Sequence, residues 1–133
     1  MANEAVITTL LGNQGDPVEY IVATGTPIPK GSLMVMDSLP QTAKISAADG
    51  DFFVGISAVE KTTTDGVTKL ACITHCVAEI KSSASGTLGQ PQKISGVNTT
   101  ANADDDTVAN AAEVVGIGLE TATTGTQAVL INR

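Results

Sequence analysis

Tryptophan is absent, and Tyr20, Phe52 and Phe53 are the only aromatic residues of the chain. Its core must therefore be packed from Val, Ile, Leu, Ala and Thr. Almost no ring is left to form the exposed stacking platform that sugar and other small-ligand sites use. Basic residues are scarce as well: seven Lys and Arg stand against fourteen Asp and Glu, for a net charge of −7. Such a surface repels phosphate backbones and anionic headgroups, which excludes nucleic acid and a membrane surface as expected partners. No apolar run approaches the ~20 residues of a spanning helix. The first residues, MANEAVITTLLGNQ, lack the basic opening of a secretory signal, so synthesis and retention in a cytoplasm are expected.

Catalytic signatures are missing too. There is no phosphate loop, no dinucleotide glycine pattern and no nucleophile elbow, and with one histidine, His75, no triad is evident. An enzyme is not expected, and neither is a cofactor. The two cysteines flank the histidine as Cys72-Ile73-Thr74-His75-Cys76. On one strand Cys72 and Cys76 share a face while His75 points to the other, so the three cannot converge on a metal ion. Four residues of strand also separate the two Cα atoms by about 13 Å, beyond disulfide reach, so both thiols are expected to be free. The acidic run Asp104-Asp105-Asp106 lacks the spaced oxygens and distal Glu of a calcium loop and reads as a solvated loop.

What remains is abundant β signal on a chain of 133 residues, the size of one domain. Thr, Val and Ile are frequent and Gly recurs at short intervals. Strands are expected over 18–23, 32–36, 42–46, 52–59, 67–80, 91–95, 114–120 and 126–131. GTPIPKGS, AADGD and TTTDGV supply turn chemistry between them. Residues 105–113 fit a short helix with an acidic N-cap. The chain also repeats itself. Val54-Gly55-Ile56 returns as Val115-Gly116-Ile117, an offset of 61, and each triplet leads through Glu60 or Glu120 into a Thr-rich turn and an apolar strand. Each copy alone would leave an apolar face uncovered, so the two are expected to close on each other as halves of one barrel or curled sheet. The glycine inside each VGI strand fits a bulge or sharp bend where a side chain would clash.

Taken together, GTPIPKGSLMVMD, FFVGISAVEKTTTDG and EVVGIGLETATTGTQAVLI resemble the head decoration, or capsid cement, proteins of tailed bacteriophages, over roughly residues 20–131. The resemblance implies a small all-β barrel or β-tulip that binds the outside of an expanded head and reinforces it. It further implies a homotrimer, the major capsid protein as partner, and a place on the outer surface of the virion. It carries no catalytic residues. The clear two-fold repeat and the acidic insertion near 98–113 depart from the lambda-type members.

The expected organisation is an N-terminal arm over 1–17 and one barrel domain over 18–133, with the repeat spanning about 26–80 and 84–133. The arm carries Val6, Ile7, Thr8, Thr9, Leu10 and Leu11, has little to pack against on its own barrel, and is expected to be flexible until it orders on the capsid. One face of strand 67–80, with Ile73, His75 and Val77, is the expected subunit interface. Two rival readings stand beside the cement protein: a small β-barrel ligand-binding module or enzyme, and another virion subunit of the tail or fibre.

Overall fold

The computed structural model describes residues 3–10, 17–83, 86–103, 113–122 and 125–132. Among the described residues every regular element is a strand: β1 Val6–Leu10, β2 Val18–Ile21, β3 Leu33–Met36, β4 Ala43–Ile45, β5 Phe53–Ser57, β6 Lys69–Ile73, β7 His75–Ser82, β8 Pro91–Gly96, β9 Thr99–Asn102, β10 Val114–Gly118 and β11 Thr126–Asn132. The chain is all-β, as its composition requires.

Two sheets form, and they share one plan. The second runs β7-β11-β10-β8-β9 and returns to β7 through a parallel pairing of Lys81 with Thr99 and Ser82 with Thr100, which closes a five-stranded barrel. The first runs β2-β6-β5-β3-β4, and its two ends meet at a parallel bridge between Ile21 and Thr42. Reading β2 to β6 onto β7 to β11 superimposes the pairings residue by residue. Met34 faces Gly55 and Ile45 where Gln92 faces Gly116 and Asn102. Tyr20 faces Leu70 where Ile80 faces Gln127. The expected small barrel is therefore present, but each copy curls into its own sheet rather than contributing half of a shared one. Five short twisted strands suffice to bring the first and last together, so neither copy needs the other to satisfy its edges.

Both VGI triplets sit at the same irregularity. Between the Met34–Gly55 and Val35–Phe53 pairs the register of β3 and β5 shifts by one residue, leaving Val54 extra, and β8 and β10 shift in the same way around Val115. A Cβ on Gly55, whose φ is +153°, would lie 2.8 Å from Cys72 Cβ and 3.0 Å from Ile73 O. At Gly116 it would collide with the carbonyl oxygen of Leu130. The bulge inferred from sequence is thus real, and glycine is the residue that lets the neighbouring strand approach.

Packing joins the copies. Met34, Ala43, Leu70, Cys72, Val22 and Ile28 fill the inside of the first sheet. The opposite side of β3 and β5, with Leu33, Val35, Phe53 and Ile56, is buried in one cluster with Cys76, Ala78, Ile80, Val129 and Ile131 of the second barrel. Alternate residues of β3 thus serve two cores, and each fully buried Leu, Ile or Phe contributes roughly 1.5–3 kcal/mol. Polar bonds fix the same junction: Leu33 N donates to Asn98 Oδ1 at 2.8 Å, and Asn98 N donates to Ser46 Oγ at 2.9 Å.

The structure corrects three expectations. The segment 67–80 is two strands in two different sheets, broken at Thr74, because the period-2 pattern runs on through a point where the chain passes from one barrel to the next. Residues 6–10 are a strand rather than a loose arm. β7 outruns β9, which pairs only with Lys81 and Ser82, so residues 76–79 would present an open edge. β1 covers it antiparallel, Ala5 is buried, and Ala5 N donates to Gly31 O at 2.7 Å. β9, over residues not among the expected strands, completes the barrel. The expected helix over 105–113 lies outside the described residues except for Glu113, as do Asp104-Asp105-Asp106 and Leu11.

Candidate interface surfaces

Two concave surfaces stand out. The larger is a groove of about 590 Å³ at the junction of the barrels, lined among others by Val6, Ile7 and Thr8 of β1, Lys30, Ala58 and Ile73. It brings together three of the arm residues singled out in the sequence and one of the interface residues. Val6 is 57% exposed, while Ile7 packs onto the core. Within the sheet order β1 lies at an end, with β7 as its partner strand among the described residues. Thr9 and Leu10 belong to the same strand, paired with Val77 and Cys76.

The second surface is on the outside of the second barrel. Val77 pairs with Leu130, Leu130 with Ile117 and Ile117 with Pro91, so an apolar row crosses four strands on one face. A cleft of about 430 Å³ follows it, lined by Pro91, Val114, Ile117, Leu130 and Asn132. Ile117 is 41% exposed. In register, Pro91, Ile117 and Leu130 are the counterparts of Leu33, Ile56 and Ile73 in the first copy. Leu33 and Ile56 are fully buried against the second barrel. The same face is covered in one copy and open in the other.

Of the three expected interface residues, His75 and Val77 lie half-buried on the outward side of β7, and Ile73 lies on β6 of the other sheet. The row through Leu130, Ile117 and Pro91 was missed because four strands contribute one residue each, and nothing in the order of residues links them.

The thiols are placed apart. Cys72 packs inside the first sheet and Cys76 inside the second barrel, both free and both fully buried. Burial pushes the Cys72 thiol up to about 12 and the Cys76 thiol up to about 11. A further buried group escaped the sequence reading. Lys61 is wholly enclosed, with its Nζ donating to the carbonyl oxygens of Thr24 at 2.5 Å, Thr26 at 3.0 Å and Thr62 at 3.3 Å. It binds the 24–28 turn to the strand end, a charge-assisted structural contact.

No protein-family model matches the chain, and no curated protein is similar to it. Among solved structures it is similar to the head fibre gp8.5 N base of bacteriophage phi29, with a TM-score of 0.55 and 14% identity, over 86% of this chain and 92% of the other. At that identity the likeness is one of fold.

Proposed function

We propose that the chain is a structural, non-catalytic subunit of a phage virion that sits on the outside of the head and reinforces it by bridging major capsid protein subunits. The observation that carries the reading is the fold likeness to a phage head fibre base across nearly the whole of both chains. The resemblance of its VGI and Gly-strand motifs to head decoration proteins points the same way. In this reading β1, with Val6, Ile7 and Thr8 beside the groove, contacts the coat protein, and the protein acts as a homotrimer. Support for self-association comes from the duplicated barrel. The face that the second barrel covers on the first, Leu33 and Ile56, is repeated on the second as Pro91 and Ile117, where Ile117 stays exposed among the described residues. In this reading the open apolar row is what a second copy covers. Several modest contacts made by one oligomer then raise the effective concentration of each further contact, and the shell is held without any single strong bond.

The test uses purified expanded heads lacking the protein, from the phage that carries its gene. Fluorescently labelled protein co-sedimenting with heads at a fixed, saturable stoichiometry supports the reading. Binding only to tails, or none at saturating concentration, refutes it. Sedimentation of the free protein at micromolar concentration reads the trimer separately.

A further inference from the structure

The contact that joins the two barrels has an entering side and a receiving side. The second barrel enters with the turn between β8 and β9. Asn98 of that turn is fully buried, its Oδ1 accepting from Leu33 N at 2.8 Å and its N donating to Ser46 Oγ at 2.9 Å. Ser46 Oγ donates in turn to Gly96 O at 2.9 Å. Ile94 of β8 is buried in one cluster with Leu33 and Ile56 of the receiving face.

Because the barrels share one register, each side has a counterpart in the other copy. Pro91 and Ile117 stand for Leu33 and Ile56, and Ala103 stands for Ser46: Ala103 N donates to Pro91 O at 2.8 Å as Ser46 N donates to Leu33 O at 2.8 Å. On the entering side Met36 stands for Ile94, and the turn over 37–42 stands for that over 95–99. Gln41 keeps the left-handed backbone of Asn98, with φ +51° against +53°. Within the chain Ile94 and Ile56 are buried, whereas their counterparts Met36 and Ile117 are exposed among the described residues.

Both counterparts have changed in the same direction. Pro91 has no N–H and Ala103 no hydroxyl, so the receiving side lacks the two groups that Asn98 binds. The entering turn lacks the asparagine. Gln41 Nε2 donates to Glu19 O of its own barrel at 3.3 Å, and the longer turn carries Leu39 and Pro40, with Leu39 65% exposed. Within the chain a polar turn meets a polar seat; the two surfaces left open are an apolar turn and an apolar seat. Lys93, in the place of Val35, does not present a free charge there, since its Nζ lies 2.9 Å from Asp49 Oδ1 and 3.9 Å from Glu113 Oε2.

We infer that the β3–β4 turn of one copy, with Leu39 and Pro40, seats on the Pro91–Ile117 row of the next, repeating between chains the contact that joins the barrels within one. The inference rests on the self-association in the proposed function and names the two surfaces that meet. Such a contact is head-to-tail, each copy offering one turn and one row, and it closes into a ring when the rotation between neighbours allows.

Cross-linking tests the pairing. Leu39→Cys on a chain with one affinity tag and Ile117→Cys on a chain with another are co-expressed and treated with a short bis-maleimide; Cys72 and Cys76, being fully buried, take no part. A 39-to-117 link between differently tagged chains is expected, and neither variant alone should link to itself. Leu39→Asp, a change in an exposed turn, should fold with an unchanged urea midpoint and sediment as a monomer. An oligomer that survives Leu39→Asp and yields no 39-to-117 link overturns the inference and leaves self-association standing through another surface. An Ile117→Cys protein that links to itself also overturns it, because the row would then meet its own copy. An unmodified protein that sediments as a monomer at every concentration, and stays unlinked on heads, removes the self-association and this inference with it.

Discussion

Replacing Gly116 by Ala tests whether the repeated glycine is a steric necessity. The new methyl group would fall on the carbonyl oxygen of Leu130 and lie 3.0 Å from Val129 Cγ1. A carbonyl locked in a ladder cannot turn aside, so β10 and β11 must separate near the Gly116–Ile131 and Ile117–Leu130 pairs. Overpacking of this kind costs about 1–3 kcal/mol, and each weakened ladder bond adds roughly 0.5–1.5 kcal/mol. The expected loss is therefore roughly 2–4 kcal/mol, a large share of the ~5–15 kcal/mol that holds a domain together. Gly66→Ala is the control. Gly66 also has a left-handed φ, +71°, but nothing lies within 4 Å of its would-be Cβ. Its cost is conformational alone, about 1–2 kcal/mol. Urea unfolding, with slopes compared to check that the unfolded states match, measures both. If Gly116→Ala costs no more than Gly66→Ala, the strand approach is not what requires glycine.

The remaining expectations concern chemistry and the arm. A thiol reagent at pH 8 should leave the folded protein unlabelled and take up two equivalents in urea, because burial holds the Cys72 and Cys76 thiols at about 12 and about 11. Prompt labelling of the folded protein would contradict their burial. The Asp65 carboxyl lies below its ordinary 3.8 because the backbone N–H groups of Val67 and Thr62 donate to it, with a lesser contribution from Lys61. A carboxyl lowered on folding contributes stability above its ordinary value and loses it as pH falls through the folded one. Asp65→Asn should therefore flatten the acid limb of a pH–stability curve and leave the slope near neutrality unchanged. Deleting residues 2–10 should lower stability by roughly 2 kcal/mol through loss of the Ala5 and Ile7 packing, and uncover the β7 edge. An unchanged urea midpoint would return the arm to the status of a loose tail.

Much of this fold was legible in the chain because the pattern of strands and turns is local. Alternation, Gly-bearing turns and the VGI repeat give seven segments that each hold one strand and an eighth, 67–80, that holds two, and the clash that demands glycine is implied by its recurrence inside two strands. What failed was long-range. The break at Thr74 is invisible because Cys72 and Cys76 continue one alternation while belonging to separate interiors. β9 was missed although Thr99 and Thr100 favour strands, because Thr-Thr-Ala-Asn shows no apolar alternation, and it is pairing with β7 and β8 that makes it a strand. β1 is legible as β-compatible, but that it docks on its own barrel depends on the lengths of β7 and β9. The candidate surfaces are the least legible part: Ile117, Leu130 and Pro91 come together only through register.

That register allows one position to be tested twice. Ile56 and Ile117 are the same residue in the two copies, each next to the VGI glycine and each paired with the last strand of its sheet, to Ile73 and to Leu130. Ile56 is 0% exposed and Ile117 is 41% exposed. Ile56→Lys would bury an ammonium among Leu33, Phe53 and the second barrel without a counter-charge, and should cost more than ~4 kcal/mol, enough to unfold a marginal domain. At Ile117 the lysine stem can lie along the cleft with its head in water, so the chain should fold with a change within about 0.5 kcal/mol. The folded Ile117→Lys protein carries a charge in the middle of the row proposed to meet a second copy. It should sediment as a monomer where the proposed function expects a trimer of the unmodified protein, and bind heads with the shallower concentration dependence of a single contact. If Ile117→Lys folds, stays trimeric and decorates heads as before, the open face of the second barrel is not the interface, and the repeat argument for self-association fails.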